Sequence, residues 1–257
     1  MKIAAYFPAL PSLMAASILL LAIGPGNGQE MPQPSPGPVV TGEATPAPAN
    51  ANQGTDSSAL EGEHRCRGRN PDGTNYQGLV TIRVKDGLFL MEWDINGKKS
   101  YGTGLLQGTT LGVGLDDGTA IYKVVPQPQG ISLIGLWAVE GAKEACHETI
   151  LLGDADQTTA KFPAPGINGV YRAVTLNADG TKEETPFSIS GKDTLKYVKL
   201  KDGTKAEGLQ LGDGLAVITP TGLAVFQIGQ NQNGNQILSG RSFDQTAVRE
   251  VTLVPYE

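Results

Sequence analysis

The side chains with which this chain could do chemistry are few and scattered. Its 257 residues hold two cysteines and two histidines. His64 stands two residues before Cys66, and His147 directly follows Cys146. Two imidazoles can begin a zinc site, but such a site needs further protein ligands, and the plainer reading is two surface histidines near a disulfide. No metal and no cofactor are therefore expected. The sequence has no nucleophile–base–acid order, no phosphate-binding loop and no G-x-G-x-x-G turn leading into a helix. Asp116-Asp117-Gly118 has the make-up of a hairpin turn or a weak Ca²⁺ loop. Lys192, Lys196, Lys199, Lys201 and Lys205 form a basic run that reads either as a solvated strand face or as a contact for an acidic polymer. A catalytic role for Glu148 would need a second polar partner that the sequence does not identify. The expectation is a protein that is not an enzyme.

Aromatic residues are the more suggestive group. Tyr76, Phe89, Trp93, Tyr101, Tyr122 and Trp137 cluster in one half of the chain. Trp93, Tyr101, Tyr122 and Trp137 are the candidate ligand- or partner-binding residues. They either line a barrel mouth or a binding face, or fill a core, and both readings stay open.

The elements that position these residues come from a duplication. Asn70-Pro71-Asp72-Gly73-Thr74 returns as Asn177-Ala178-Asp179-Gly180-Thr181, and the Gly104-Leu105 strand returns as Gly208-Leu209. Within each copy, short alternating runs are divided by Asp-Gly and Asn-Gly turns. Val80, Ile82 and Val84 are followed by Phe89, Met91, Trp93 and Ile95. That alternation has the period of antiparallel strands with one buried face. The fold class is all-β: two tandem antiparallel meander units, barrel-like (calycin-like) or sandwich, of about seven strands each. A closed unit would make its first and last strands neighbours. It would place Cys66 beside Cys146 as a disulfide, the default for an exported chain. The aligned positions Ala173 and Val248 should then also meet. By the same alignment Glu148 corresponds to Glu250.

The remaining segments give an address. Residues 1–28 read as a signal peptide, with an apolar run from Ser12 to Gly24 and small residues at Gly26 and Gly28. Residues 29–63 are rich in Pro, Ala, Gly and polar side chains, and read as a disordered tether. The first β unit spans 64–157, a Pro/Gly linker 158–168, and the second unit 169–257. The 20 basic residues are outnumbered by 26 acidic ones, for a net charge of -6 that comes largely from the tether; no basic footprint of a nucleic-acid binder is present, so no such partner is expected. No integral membrane span is expected once the signal is cleaved.

The series Gly68, Asn70-Pro71-Asp72-Gly73-Thr74, Tyr76, Gly78, Trp93, Asn96-Gly97, Tyr101-Gly102-Thr103-Gly104, Tyr122, Gly135, Trp137 and Glu148 resembles a Tyr-x-Gly/Trp β-repeat of exported bacterial proteins. These are often labelled hypothetical or fibronectin-binding-protein-like. The resemblance covers the first unit well and the second more loosely, and it implies adhesion. The functional expectation is an exported, non-enzymatic binding or interaction protein of the bacterial cell envelope, secreted or periplasmic. Its partner would be a protein, a glycan or a small hydrophobic ligand. The rival readings are a structural envelope protein without a small ligand, and a hydrolase with an unrecognised site.

Overall fold

Alternating apolar residues and tight glycine turns build sixteen strands in the computed structural model, which describes residues 56–156, 160–177 and 179–256. The signal segment and the tether up to residue 55 lie outside the described residues. Among the described residues no helix is long and apolar enough to cross a membrane.

The first copy folds into β1 (Gly62–Arg69), β2 (Asn75–Lys85), β3 (Leu88–Ile95), β4 (Lys98–Gln107), β5 (Thr110–Leu115), β6 (Gly118–Gln127), β7 (Gly130–Val139) and β8 (Cys146–Gly153). Each strand pairs with the next, and β8 returns to pair antiparallel with β1, closing an eight-stranded barrel. The second copy repeats this with β9 (Gly169–Leu176), β10 (Lys182–Ser190), β11 (Leu195–Leu200), β12 (Lys205–Leu211), β13 (Gly214–Thr219), β14 (Gly222–Gln230), β15 (Gln236–Phe243) and β16 (Val248–Pro255). It closes between β16 and β9. Closure excludes the sandwich, and each unit has eight strands rather than seven. The Asp86-Gly87 and Asn96-Gly97 turns take positive φ at both residues, 53° and 77°, then 55° and 76°. That geometry matches the twist of the strands they join.

The inward parity is the expected one. Val80, Ile82, Phe89, Met91, Trp93, Tyr122, Leu133 and Ile150 fill the first barrel. Phe187, Ile189, Val198, Leu215, Phe226 and Leu253 fill the second. Residues 56–63, expected to be disordered tether, belong instead to the fold. Asp56 Oδ1 accepts from Ser58 N at 3.0 Å and caps a 3-10 turn, Ser57–Leu60. The turn drives Leu60 wholly into the first core, and His64 Nε2 donates to the Leu60 carbonyl at 3.1 Å. The second copy repeats the device: Ile167 is buried in the second core, and the Tyr171 hydroxyl donates to its carbonyl at 2.8 Å. The duplicated unit thus starts at an apolar plug ahead of its first strand.

The barrels lie against each other. Leu105, Ile121, Leu136 and Ala138 point out of β4, β6 and β7 and pack on Leu209, Ala216, Leu223 and Val225 of β12 to β14. Gly112 permits the approach, since a methyl group there would overlap Val225 and come within 2.8 Å of Ala216 Cβ. A polar bridge, buried at Lys123 and Thr110 and open to solvent at Asp213, crosses the same interface. Lys123 Nζ donates to Thr110 Oγ1 at 2.6 Å and pairs with Asp213; Thr110 Oγ1 donates to Gln227 Oε1 at 3.2 Å, and Gln227 also bonds Asp213. β4 to β7 are therefore covered by the second barrel. The outer faces of β8, β1 and β2 are not part of this contact.

Candidate functional site

The disulfide is not formed: both cysteines are free. β1 and β8 are neighbours as expected, but their register puts Cys66 opposite Ile150, while Cys146 faces Trp137 across the β7–β8 pair. The thiols are offset by the run from Cys146 to Ile150, roughly 13 Å along the strand. That is far beyond the reach of a disulfide. Burial, with Glu148 nearby, pushes the Cys66 thiol up to about 12, so it is no nucleophile. Ala173 and Val248 do not meet either. Ala173 faces Leu253, and Val248 faces Phe243. His64 points into the lower end of the first barrel, whereas His147 is exposed at the upper end, so the imidazoles do not converge. Among the described residues no cluster of His, Cys, Asp and Glu can hold a metal.

What the barrel does assemble is a buried carboxylate with three donors. Glu148 occupies the inward parity of β8, in line with Ile150 and Leu152, and is only 4% exposed. The Tyr76 hydroxyl donates to its Oε1 at 2.7 Å. Trp93 Nε1 and the Tyr122 hydroxyl donate to its Oε2 at 3.1 and 2.5 Å. Two glycines make room. A side chain at Gly68 would overlap the Tyr76 ring, and one at Gly135 would overlap the Tyr122 ring. Trp137 packs edge-on against Tyr76 with ring centroids 6.5 Å apart, and its Nε1 is buried without a hydrogen-bond partner. Desolvation raises the Glu148 carboxyl above its ordinary range, against the opposing pull of its three donors. Burial, with the carboxylate alongside, also raises both phenols, so neither tyrosine is activated.

Of the four aromatics proposed from the sequence, Trp93, Tyr122 and Trp137 share this interior. Tyr101 does not: it is 51% exposed on the outside of β4, beside Glu92. The alignment of Glu148 with Glu250 is also corrected. Glu148 faces Gly135, and the matching Gly240 faces Val251, so Val251 is the true counterpart and Glu250 points to solvent. By the same registers Trp93 becomes Leu200, Tyr122 becomes Phe226 and Trp137 becomes Ser242. At the positions of Glu148, Trp93 and Tyr122 the second barrel thus carries aliphatic or phenyl side chains. The lysine run is split: Lys196 is buried inside the second barrel, where desolvation lowers its pKa, and Lys199 is exposed.

Outside this cluster, the upper end of β8–β1–β2 forms an open groove of about 630 Å³. Arg67, Arg69, Asn75, Gln77, His147 and Thr149 line it, with Gly68, Tyr76 and Glu148 forming its floor. Arg65, Arg67 and Arg69 are all exposed on the outer parity of β1. Their cross-strand neighbours are Leu79 and Leu151 for Arg65, Gln77 and Thr149 for Arg67, and Asn75 for Arg69. Glu63 precedes them on the same outward row, and Arg69 Nε donates to the Gly73 carbonyl at 3.3 Å. The corresponding row of β9 is Arg172, Val174 and Leu176, and its one arginine pairs with Glu184 at 3.5 Å.

Fold and site together define a tandem double-barrel protein in which the first barrel buries a hydrogen-bonded glutamate and the second a lysine. No family model matches the chain, and no curated protein matches it. Among solved structures it is similar to a protein of unknown function from the DUF3598 family of Nostoc punctiforme, at 12% identity over 77% of this chain and 97% of that one, with a TM-score of 0.28.

Proposed function

We propose that this is an exported, non-enzymatic binding protein whose first barrel presents the binding face and whose second barrel buttresses it. The observation that carries this reading is the arginine row of β1, which lies on the face that barrel packing leaves open and which the second copy lacks. The row sets three cations along one exposed strand, with Arg69 Nε also donating to the Gly73 carbonyl at 3.3 Å. A partner carrying negative charge suits that row. Three facts support the non-catalytic side of the reading. Both Glu148 oxygens already accept hydrogen bonds, the adjacent phenols and thiol are pushed away from ionisation, and side chains fill the barrel interior. The interior therefore favours a partner on the outer surface over a small hydrophobic ligand inside. Export rests on the N-terminal sequence.

The test has two parts. Recovery of the protein from the periplasm or medium with an N-terminus near Gln29 checks export. Retention of purified cell-wall and matrix fractions by the full chain is then compared with Arg65→Gln/Arg67→Gln/Arg69→Gln. Loss of retention in the variant is expected. Equal retention by both proteins would place the binding face elsewhere.

A further inference from the structure

We infer that the groove between the two barrels binds a free short peptide with apolar side chains, its amino terminus toward the first barrel and its carboxylate toward the second. This site is separate from the β1 face and does not depend on the arginine row. The groove has a volume of about 860 Å³, in the range of small-molecule sites, and lies where two units meet. Its walls carry opposite charge. Asp116, Asp117 and Glu140 stand exposed on the side of the first barrel. Lys199 and Lys205 stand exposed on the side of the second, directly opposite one another on β11 and β12. Like charges at such a pair oppose the pairing of their strands. Among the described residues none of these five side chains forms an ion pair.

The walls are held apart by the fold. The apolar contact of β4, β6 and β7 with β12 to β14 fixes the barrels, and Glu207, the next outward residue after Lys205 on β12, accepts from Gly141 N of the first barrel at 2.9 Å. A ligand with a cation at one end and an anion at the other satisfies both walls at once. What lies between them is apolar. Tyr197 shares the outward parity of Lys199 on β11 and is 50% exposed, and Ala138, Val139, Leu195 and Ile218 line the groove beside it. Ser188 faces Lys199 across the β10–β11 pair and offers a hydroxyl that can donate to or accept from a peptide group. A neutral glycan would leave both charged walls unmatched, and an amphiphilic acid would leave the acidic one unmatched. A quaternary ammonium headgroup is held by a cage of aromatic rings, and here the groove offers Tyr197 alone among the described residues.

Calorimetric titration of the full chain with a leucine–phenylalanine–leucine tripeptide, its N-acetyl and C-amide forms, and triglycine tests this. The free tripeptide is expected to bind and triglycine is not. Blocking either terminus should weaken binding about fivefold. In Lys199→Gln/Lys205→Gln the amide should bind as well as the free acid, while acetylation still weakens binding. In Asp116→Asn/Asp117→Asn/Glu140→Gln the reverse is expected. Arg65→Gln/Arg67→Gln/Arg69→Gln should bind the tripeptide as the wild type does. Matching circular dichroism and melting curves establish that the variants fold. End-blocking without effect, or charge variants that keep the wild-type response to it, would overturn the inference. Phosphatidylcholine vesicles that bind the chain and displace the tripeptide would overturn the peptide assignment. Binding of no peptide, with cell-wall or matrix fractions still retained through the arginines, would overturn this inference and leave the proposed binding face standing.

Discussion

At the scale of single residues, Glu148 sets the character of the first barrel. Its carboxyl is raised by desolvation in the folded chain and titrates in the ordinary carboxylate range in the unfolded one. Between those two values the folded chain holds a proton that the unfolded chain has released. Stability from this group is therefore fully present below the unfolded value and is lost as pH rises through the folded one. Thermal melts from acid to neutral pH should show that decline in the wild type and not in Glu148→Gln, which cannot ionise. Replacing Glu148 with Val, the residue of the second barrel, should cost more, because it strands the Tyr76, Trp93 and Tyr122 donors at about 1–3 kcal/mol each. Adding Tyr76→Phe, Trp93→Leu and Tyr122→Phe should recover much of that loss, since no buried donor then lacks an acceptor. A double-mutant cycle by chemical denaturation measures the coupling directly. The cysteines give a simpler test. Two reactive thiols are expected in the unfolded, unreduced protein, and a reductant should leave the melting temperature unchanged.

At the scale of elements, strands with apolar alternation were legible and strands without it were not. Val80 and Ile82 against Thr81 and Arg83, or Phe89, Met91 and Trp93, announce their buried face by period alone. β1 hides because its inward residues are His64, Cys66 and Gly68, which make no apolar stripe. Glu148 hid for the opposite reason: a carboxylate reads as solvent-facing, and only its parity with Ile150 and Leu152 turns it inward. The link between β15 and β16 is two residues shorter than that between β7 and β8, so the match had to be shifted at the last strand, and it was shifted one residue too far, onto Glu250 in place of Val251. The plugs preceding β1 and β9 were masked by polar, proline-rich surroundings. Leu60→Ala should destabilise the protein by about 2–5 kcal/mol, the range for truncating a fully buried leucine, as read from the denaturation midpoint. Gly135→Ala should displace the Tyr122 ring from Glu148 and cost about 1–3 kcal/mol as an overpacked site.

At the scale of the whole molecule, the duplication divides labour between the copies. Outward apolar residues on β4, β6 and β7 meet their counterparts on β12 to β14, so β6 is buried on both faces and reads as a nearly continuous apolar run. That run, through Ala120, Ile121 and Tyr122, was the available signal for the contact between barrels. The two barrels should unfold in one transition, and Gly112→Val, which drives a side chain into Val225 and Ala216, should split it into two by calorimetry. With one side of the first barrel spent on this contact, its β8–β1–β2 face is the one assigned to the proposed partner. Amide hydrogen exchange of the full chain, with and without a soluble cell-wall fraction, tests that most directly. Added protection is expected in Gly62–Arg69, Asn75–Lys85 and Cys146–Gly153, with the second barrel unchanged. Protection confined to the second barrel, or to the groove between the barrels at Asp116 and Lys205, would contradict it.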